Sequence, residues 1–263
     1  MALPKVLEQI VRAMVMKIKD VSVIDESDQE IIHLNKRSPE GWMPSLSVDC
    51  VVFGLCDKQL KILLVKHAKG INTGRWGLPG GEIRIEESLE QAANRLLAHL
   101  TGVHDIYLEQ LKAFSAVNRV ASSRVITFSF FALVKPEQHE LAANSDTIKT
   151  SWFSLNALPN LIYDHNDILD VGIKFLRNKI RYQPIGVNLL PPKFTLGQLQ
   201  ELYEAILATK LDKPNFRRKI LRMGFLVCCN ETQDKVPYRA GVLYRFDSER
   251  YKALCKKGFN FEF

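Results

Sequence analysis

Residues 74–103 decide the fold of this chain, and they read GRWGLPGGEIRIEESLEQAANRLLAHLTGV. The first eight of these residues contain four glycines and one proline, a composition typical of a loop. Ser88 can accept hydrogen bonds at the start of a helix, and apolar residues then recur at helical spacing up to Leu100. The stretch therefore predicts a glycine-rich loop followed by an amphipathic helix from Ser88 to His99.

The segments on both sides of this loop and helix have the patterns of β-strands. Runs of apolar and β-branched residues at 48–55 and 60–65, joined by the turn residues Asp57 and Lys58, predict a hairpin. Strands and helices are therefore mixed along the chain, which indicates an α+β protein. The other expected elements are a strand at 125–134, a short helix after Phe153 and a longer helix from about residue 164 to 181.

The loop and helix resemble the signature of the Nudix hydrolase family. When that signature is aligned from Gly81, its glutamate, its arginine and its later glycine fall on Glu87, Arg95 and Gly102. The resemblance extends over about residues 47–157. It implies a Nudix-like α/β/α sandwich built on a mixed sheet.

The same alignment shows that the metal-binding glutamates of the family are missing, because the three positions hold Leu96, His99 and Leu100. Nudix hydrolysis depends on Mg²⁺, a hard cation that prefers oxygen ligands. Leucine has no lone pair to offer, and histidine binds magnesium poorly. We therefore predict an inactive domain with no catalytic residue, no metal and no cofactor, whose cleft binds a small-molecule effector. The alternative is an active hydrolase of a nucleoside diphosphate derivative with non-standard metal ligands, namely Glu82, Glu86, Glu87 or Glu90.

The candidate effector-binding residues are polar side chains close to the glycine-rich loop or to the expected strand at 125–134. Cationic groups suit phosphates, whereas carboxylates and amides suit sugar hydroxyls. The candidates are Asp49, Lys66, Arg75, Glu82, Asn118, Arg119 and Arg124.

Positive charge is concentrated in the last quarter of the chain. The 263 residues include 36 Lys and Arg against 29 Asp and Glu, a formal net charge of +7. Residues 189–263 contain 14 basic and 8 acidic side chains, so nearly all of the excess lies there. A basic segment attached to a nearly neutral one indicates a polyanionic partner.

This basic segment has the pattern of a winged helix-turn-helix. Thr195 and Asp212 can each cap a helix, and two expected strands joined by a polar loop follow at 225–229 and 241–246. Phe216 and its helical neighbours form an apolar stripe on the second helix, which leaves the opposite face to donors that suit bases and phosphates. The candidate DNA-binding residues of this face and of the wing are Lys213, Asn215, Arg217, Arg218, Arg222, Lys235, Tyr238 and Arg239.

Short stretches of the segment, such as Phe194-Thr195-Leu196 and Asn215-Phe216-Arg217, resemble the C-terminal domain of the Nudix-related transcriptional regulators. In those bacterial proteins a degenerate Nudix domain senses a metabolite and a winged helix binds operators as a dimer. The resemblance implies a homodimer whose partners are double-stranded operator DNA and a small-molecule effector.

The identity of the effector stays open between two branches of that family, one responsive to ADP-ribose and one to sugars such as arabinose. Three stretches resemble the sugar branch more closely, namely Val48-Asp49-Cys50, Asn188-Leu189-Leu190-Pro191 and Phe259-Asn260-Phe261. The retained loop from Trp76 to Gly81 is what a binder of nucleoside diphosphates would keep. We give the sugar a modest preference.

The expected domain order is an N-terminal helical extension at 1–45, the Nudix-like domain at 46–157, a linker helix region at 158–188 and the winged helix at 189–263. No apolar run approaches the roughly 20 residues that cross a bilayer, so no membrane association is expected. The five cysteines form no C-x-x-C pair, which argues against disulfide and zinc frameworks and favours the cytoplasm. A pure interaction module, which would bind neither DNA nor a small molecule, is a third possibility.

Overall fold

The computed structural model describes residues 44–142, 144–233 and 240–257. The expected N-terminal helix, the wing residues Lys235, Tyr238 and Arg239, and the terminal stretch at 259–261 lie outside the described residues. Within the described part of the chain, no helix is long and apolar enough to span a membrane.

The first part of the described chain forms seven strands and two helices. These elements are β1 (Ser45–Cys56), β2 (Gln59–His67), β3 (Trp76–Gly77), β4 (Gly80–Glu82), α1 (Leu89–Thr101), β5 (Glu109–Phe114), β6 (Val125–Val134), β7 (Thr147–Ser154) and α2 (His165–Tyr182). The second part contributes β8 (Phe194–Thr195), α3 (Leu196–Leu207), α4 (Lys213–Arg222), β9 (Leu226–Thr232), β10 (Val242–Phe246) and α5 (Ser248–Lys256).

The seven strands form one mixed sheet. Its central order is β3-β2-β1-β6-β5, and β4 pairs with β1 while β7 pairs with β2. The β1–β6 pair is parallel, and the other pairs in this sheet are antiparallel. The predicted hairpin is confirmed, with Asp57 and Lys58 both in the left-handed conformation that two-residue hairpin loops require.

The two faces of the sheet belong to two separate apolar clusters. Val48, Val52 and Leu63 pack with α1 on one face, because successive strand residues point to opposite sides. Val51 and Ile62, on the other face, belong to a cluster that continues through α2 into α3 and α4. The sheet is therefore covered by helices on both faces, and the predicted sandwich is confirmed.

Helix α1 has the predicted N-terminus and ends two residues later than expected. The Ser88 side chain accepts from the Gln91 amide, and the Gln91 side chain accepts from the Ser88 amide, which completes a capping box. Gly102 ends the helix with a φ of 79°, a left-handed conformation that glycine adopts without strain.

The prediction of a short helix after Phe153 was wrong. Ser154 and Ala157 form a turn, and Leu161 makes an isolated bridge with Trp76. Pro159 has no amide hydrogen to donate, so the segment instead runs along the edge of the sheet until α2 begins.

The C-terminal part has the predicted winged-helix architecture. Helices α3 and α4 begin at the caps Thr195 and Asp212, whose side chains accept from backbone amides three residues later. Strands β9 and β10 form the expected hairpin, and the short strand β8 joins them in a three-stranded sheet. Neither β8 nor the terminal helix α5 was predicted.

Candidate effector cavities and DNA-binding face

One cavity of about 260 Å³ lies between β1, β4 and the start of α2. Its polar wall carries side chains from sequence segments far apart in the chain. The polar residues of this wall are Ser45, Ser47, Asp49, His67, Asn72, Glu82, Arg119, Ser122, Ser123, Thr127, Tyr163 and His165.

A buried ion pair connects this cavity to α2. The Nε and Nη2 atoms of Arg119 donate to the two carboxylate oxygens of Asp164 at 2.8 and 2.6 Å. A third nitrogen of the guanidinium donates to the Thr127 hydroxyl. The Arg119 side chain is 3% exposed and that of Asp164 is 16% exposed. The pair therefore fixes the 118–124 segment to the residue that precedes α2.

His165 is held in one ring orientation at the base of the same cavity. The Leu78 amide donates to its Nδ1 at 2.9 Å, so Nδ1 keeps its lone pair and Nε2 carries the ring hydrogen. Nε2 lies 3.5 Å from the Asp49 carboxylate. Burial raises the pKa of Asp49, while the nearby His165 and Arg119 act in the opposite direction. The pocket thus contains donors and acceptors that suit a polar ligand.

A second cavity, of about 690 Å³, lies over α1 at the three positions where the Nudix signature carries metal-binding glutamates. Leu96 and Leu100 contribute apolar surface there. The His99 Nε2 lies 2.9 Å from the Asp146 carboxylate, which also accepts from Lys69 at 3.0 Å. These two partners, His99 first, lower the pKa of Asp146 to about 2.

Glu87 and Arg95, which the chain retains from the Nudix signature, form an ion pair. The Arg95 Nε donates to Glu87 at 2.7 Å, and a guanidinium nitrogen also donates to the Glu82 carbonyl at 3.1 Å. The hydrogen bonds from Arg95 are the main cause that lowers the pKa of Glu87 to about 2. This pair closes the loop between β4 and α1, which is a structural role.

The three signature positions at this second cavity do not suit the Mg²⁺ that Nudix hydrolases use. Leu96 and Leu100 have no donor atom, and His99 is already engaged with Asp146. Across the residues that the structure describes, no group of three His, Cys, Asp or Glu side chains is placed to hold a metal ion. The three signature positions therefore do not reproduce the metal site of the Nudix signature.

Three of the seven candidate effector residues, Asp49, Glu82 and Arg119, line the first cavity, and Glu82 also lines the second. The other four line neither. Lys66 lies in β2 between β3 and β7, and Arg75 and Asn118 are exposed in loops. The Arg124 guanidinium donates to the carbonyls of Ser115 and Ala116.

Several residues that line the cavities were not among the candidates predicted from the sequence. His67 lines both of them, and its buried Nε2 has no hydrogen-bond partner among the described residues. Tyr163 and His165 reach the first cavity from the start of α2. The adjacent Asp164-His165 pair at an expected helix start was the available sequence signal for this group.

Helix α4 presents the candidate DNA-binding residues on its exposed side. Phe216 and Ile220 are buried, and the Phe216 ring lies 5.5 Å from that of Tyr203 in an edge-to-face contact. This contact seats α4 on α3. The exposed side chains of the helix include Lys213, Asn215, Arg217, Arg218 and Arg222.

Two family models match the chain. The "NUDIX domain" model matches residues 45–171, and the model described as "NrtR DNA-binding winged helix domain" matches residues 186–246.

Curated relatives and solved structures agree with these matches. The chain is 34% identical over 216 residues to the "ADPR responsive transcriptional repressor NtrR" of Acinetobacter baylyi, covering 79% of this chain and 84% of that protein. It is 32% identical over 126 residues to an "ADP-ribose pyrophosphatase" of Methanocaldococcus jannaschii, covering 48% of this chain and 71% of that protein. The crystal structure of Shewanella oneidensis NrtR complexed with a 27mer DNA covers 82% of this chain and 97% of its own, with a TM-score of 0.67 and 30% identity. The chain therefore belongs to the NrtR family of Nudix-related transcriptional regulators.

Proposed function

We propose that this protein is a homodimeric transcriptional regulator that binds operator DNA through its winged helix and senses ADP-ribose in its Nudix-like domain. The single observation that carries the proposal is the exposed face of α4, which lies opposite a buried apolar stripe and carries four cationic side chains and an asparagine. The family relationship supports the same assignment.

The chemistry of the α4 face suits a DNA groove. Arg217 and Arg218 can donate to guanine edges, and Lys213 can hold a phosphate. The side-chain oxygen Oδ1 of Asn215 accepts from the Arg218 guanidinium, which holds the two side chains side by side on the exposed surface. The same helix therefore provides groups for base contacts and for backbone contacts.

ADP-ribose is a better effector candidate than the sugar that the sequence analysis preferred. Both relatives named above have ADP-ribose in their printed names. The two cavities share His67, Gly80 and Glu82, so one extended ligand can reach both of them. A free pentose would fill only a small part of this combined space.

Catalysis is not part of the proposal, although the similarity to a pyrophosphatase makes hydrolysis the second candidate. The test is incubation of the full chain with ADP-ribose and Mg²⁺ or Mn²⁺. We expect no turnover, because the helix face over which hydrolysis would occur carries Leu96, His99 and Leu100. Turnover that disappears in Glu87→Gln would favour the hydrolase.

DNA binding is tested by gel shifts with the region upstream of the chain's own gene. Arg217→Ala and Arg218→Ala should each cost about 1–3 kcal/mol if the side chain reads a base, and binding should weaken steeply with salt. The matched control is Lys174→Ala/Arg181→Ala, which removes the same charge from an exposed face of α2. Full-strength binding by the Arg217→Ala/Arg218→Ala variant would show that α4 is not the helix that binds DNA.

The effector is tested by calorimetry of the full chain with ADP-ribose, arabinose, xylose and galactose. We expect heat of binding with ADP-ribose alone. Binding of one of the sugars without binding of ADP-ribose would refute the proposed effector and favour a sugar.

A further inference from the structure

The larger cavity lies over α1, at the signature positions of the Nudix family, and its wall carries both cationic and acidic side chains. Its cationic side chains are those of Lys69, Arg84 and Arg95, and its carboxylates are those of Glu82 and Asp146. The cavity also contains the imidazoles of His67 and His99. Cations therefore outnumber carboxylates on the cavity wall.

This balance follows from the residues that occupy the signature positions. Three glutamates there would repel a diphosphate, so that a divalent cation would be required to bridge the ligand to the protein. Leu96 and Leu100 carry no charge, and their apolar side chains lower the polarity of the cavity wall. A diphosphate would thus not meet the repulsion of three signature glutamates, which is the repulsion that a bridging ion would have to offset.

The cations of this cavity are held in place by the rest of the wall. Asp146 accepts from both His99 and Lys69, so it keeps these two donors at the same edge of the cavity. Arg95 is committed to Glu87. The Arg84 backbone amide also donates to Glu87, which holds the Arg84 backbone beside the cavity, while the guanidinium stays exposed.

We infer that this cavity binds the diphosphate of the effector directly, through Lys69 and Arg84, and that binding requires no metal ion. The identity of the ligand rests on the proposed function, whereas the direct, metal-free contact with a diphosphate rests on the cavity alone.

The experiment is calorimetry of the full chain with two probes, ADP-ribose and inorganic diphosphate, each titrated in EDTA and in Mg²⁺. We expect ADP-ribose affinities that agree within roughly twofold in the two buffers, and detectable diphosphate binding in EDTA. An affinity that falls by roughly tenfold or more in EDTA would overturn the inference and leave ADP-ribose sensing intact. Absence of ADP-ribose binding in both buffers would instead refute the proposed effector, and the diphosphate titration in EDTA would then decide the inference.

Two variants locate the binding. Lys69→Met/Arg84→Met should weaken diphosphate binding in EDTA by roughly tenfold or more, since it removes two charged donors. The control Lys174→Met/Arg181→Met removes the same two residue types from α2 and should have no effect. Equal losses in both variants would assign the binding to general surface charge and contradict the inference.

A third variant tests whether carboxylates at the signature positions make diphosphate binding depend on a metal ion. Leu96→Glu/His99→Glu/Leu100→Glu restores the carboxylates of the signature and should make diphosphate binding depend on Mg²⁺. Metal-free binding that persists in this variant, once its fold is confirmed by circular dichroism, would refute the charge argument.

Discussion

The buried ion pair of Arg119 and Asp164 gives the sharpest stability prediction. We expect Arg119→Met to lower the free energy of unfolding by about 3–5 kcal/mol, the cost of leaving one partner of a buried pair without the other. The geometry supports the upper part of this range, because the guanidinium is 3% exposed and donates to both Asp164 oxygens and to Thr127. Asp164 would lose its cation while it still lies close to Asp49.

The assay is urea unfolding of the full chain, followed by far-ultraviolet circular dichroism at neutral pH. Arg124→Met is the matched control, since Arg124 is an exposed arginine of the same segment that donates only to backbone carbonyls. A second variant, Arg119→Met/Asp164→Leu, removes the stranded carboxylate and should recover part of the loss.

The reasoning would be refuted by either of two results. A loss below about 1 kcal/mol in Arg119→Met would put this pair in the range of exposed surface pairs. A double variant that is no more stable than the single one would show that the stranded charge is not the source of the loss. Because Arg119 also lines the first cavity, weaker ADP-ribose binding should accompany the loss of stability.

Three further predictions concern other parts of the chain. Arg95 lowers the pKa of Glu87 from its ordinary 4.5 to about 2, so the stabilisation of the fold by this pair is present above pH 4.5 and is lost as the pH falls toward 2. The urea midpoint of Glu87→Gln should therefore fall less steeply with pH over that interval than that of the unchanged protein. An equal pH dependence of the two midpoints would contradict this prediction. Phe216→Ala should cost about 3–5 kcal/mol in the same unfolding assay, because the ring is 2% exposed, and a loss below about 1 kcal/mol would exclude a core role. Gly80→Ala should lower the melting temperature and abolish ADP-ribose binding, because the added Cβ would lie 2.0 Å from an Asp49 oxygen. Gly197→Ala is the control, since the nearest atom to its added Cβ lies 3.6 Å away. Equal melting temperatures of the two variants would refute the predicted clash.

Local features of the fold could be predicted from the sequence. The caps Ser88, Thr195 and Asp212 were identified because a capping side chain and the amide it accepts from lie within three residues of each other. The hairpin turn at Asp57-Lys58 is equally local. By contrast, β4 has only three residues and exists because it pairs with β1, so no periodicity could reveal it.

The cavities could be predicted only in part, because their walls come from distant segments. Asp49 and Arg119 were found through their chemistry, but the partner Asp164 comes from the start of α2 and no spacing rule connects it to them. Lys66 was chosen for its charge and its closeness to the loop. Its neighbour His67 lines both cavities instead, since adjacent residues of a strand point to opposite faces.

The shared apolar cluster of the sheet, α2 and the winged helix has a genetic consequence. Leu133 of β6 and the side chains of Leu202 and Ile206 of α3 all lie next to Gly186 and pack in the same apolar cluster, so the packing of both halves depends on these few side chains. Under the proposed function, selection for strains in which the regulator no longer responds to ADP-ribose should recover substitutions among these side chains, remote from both the cavities and α4. A substitution that repacks one half should therefore also alter the surface on which the other half rests.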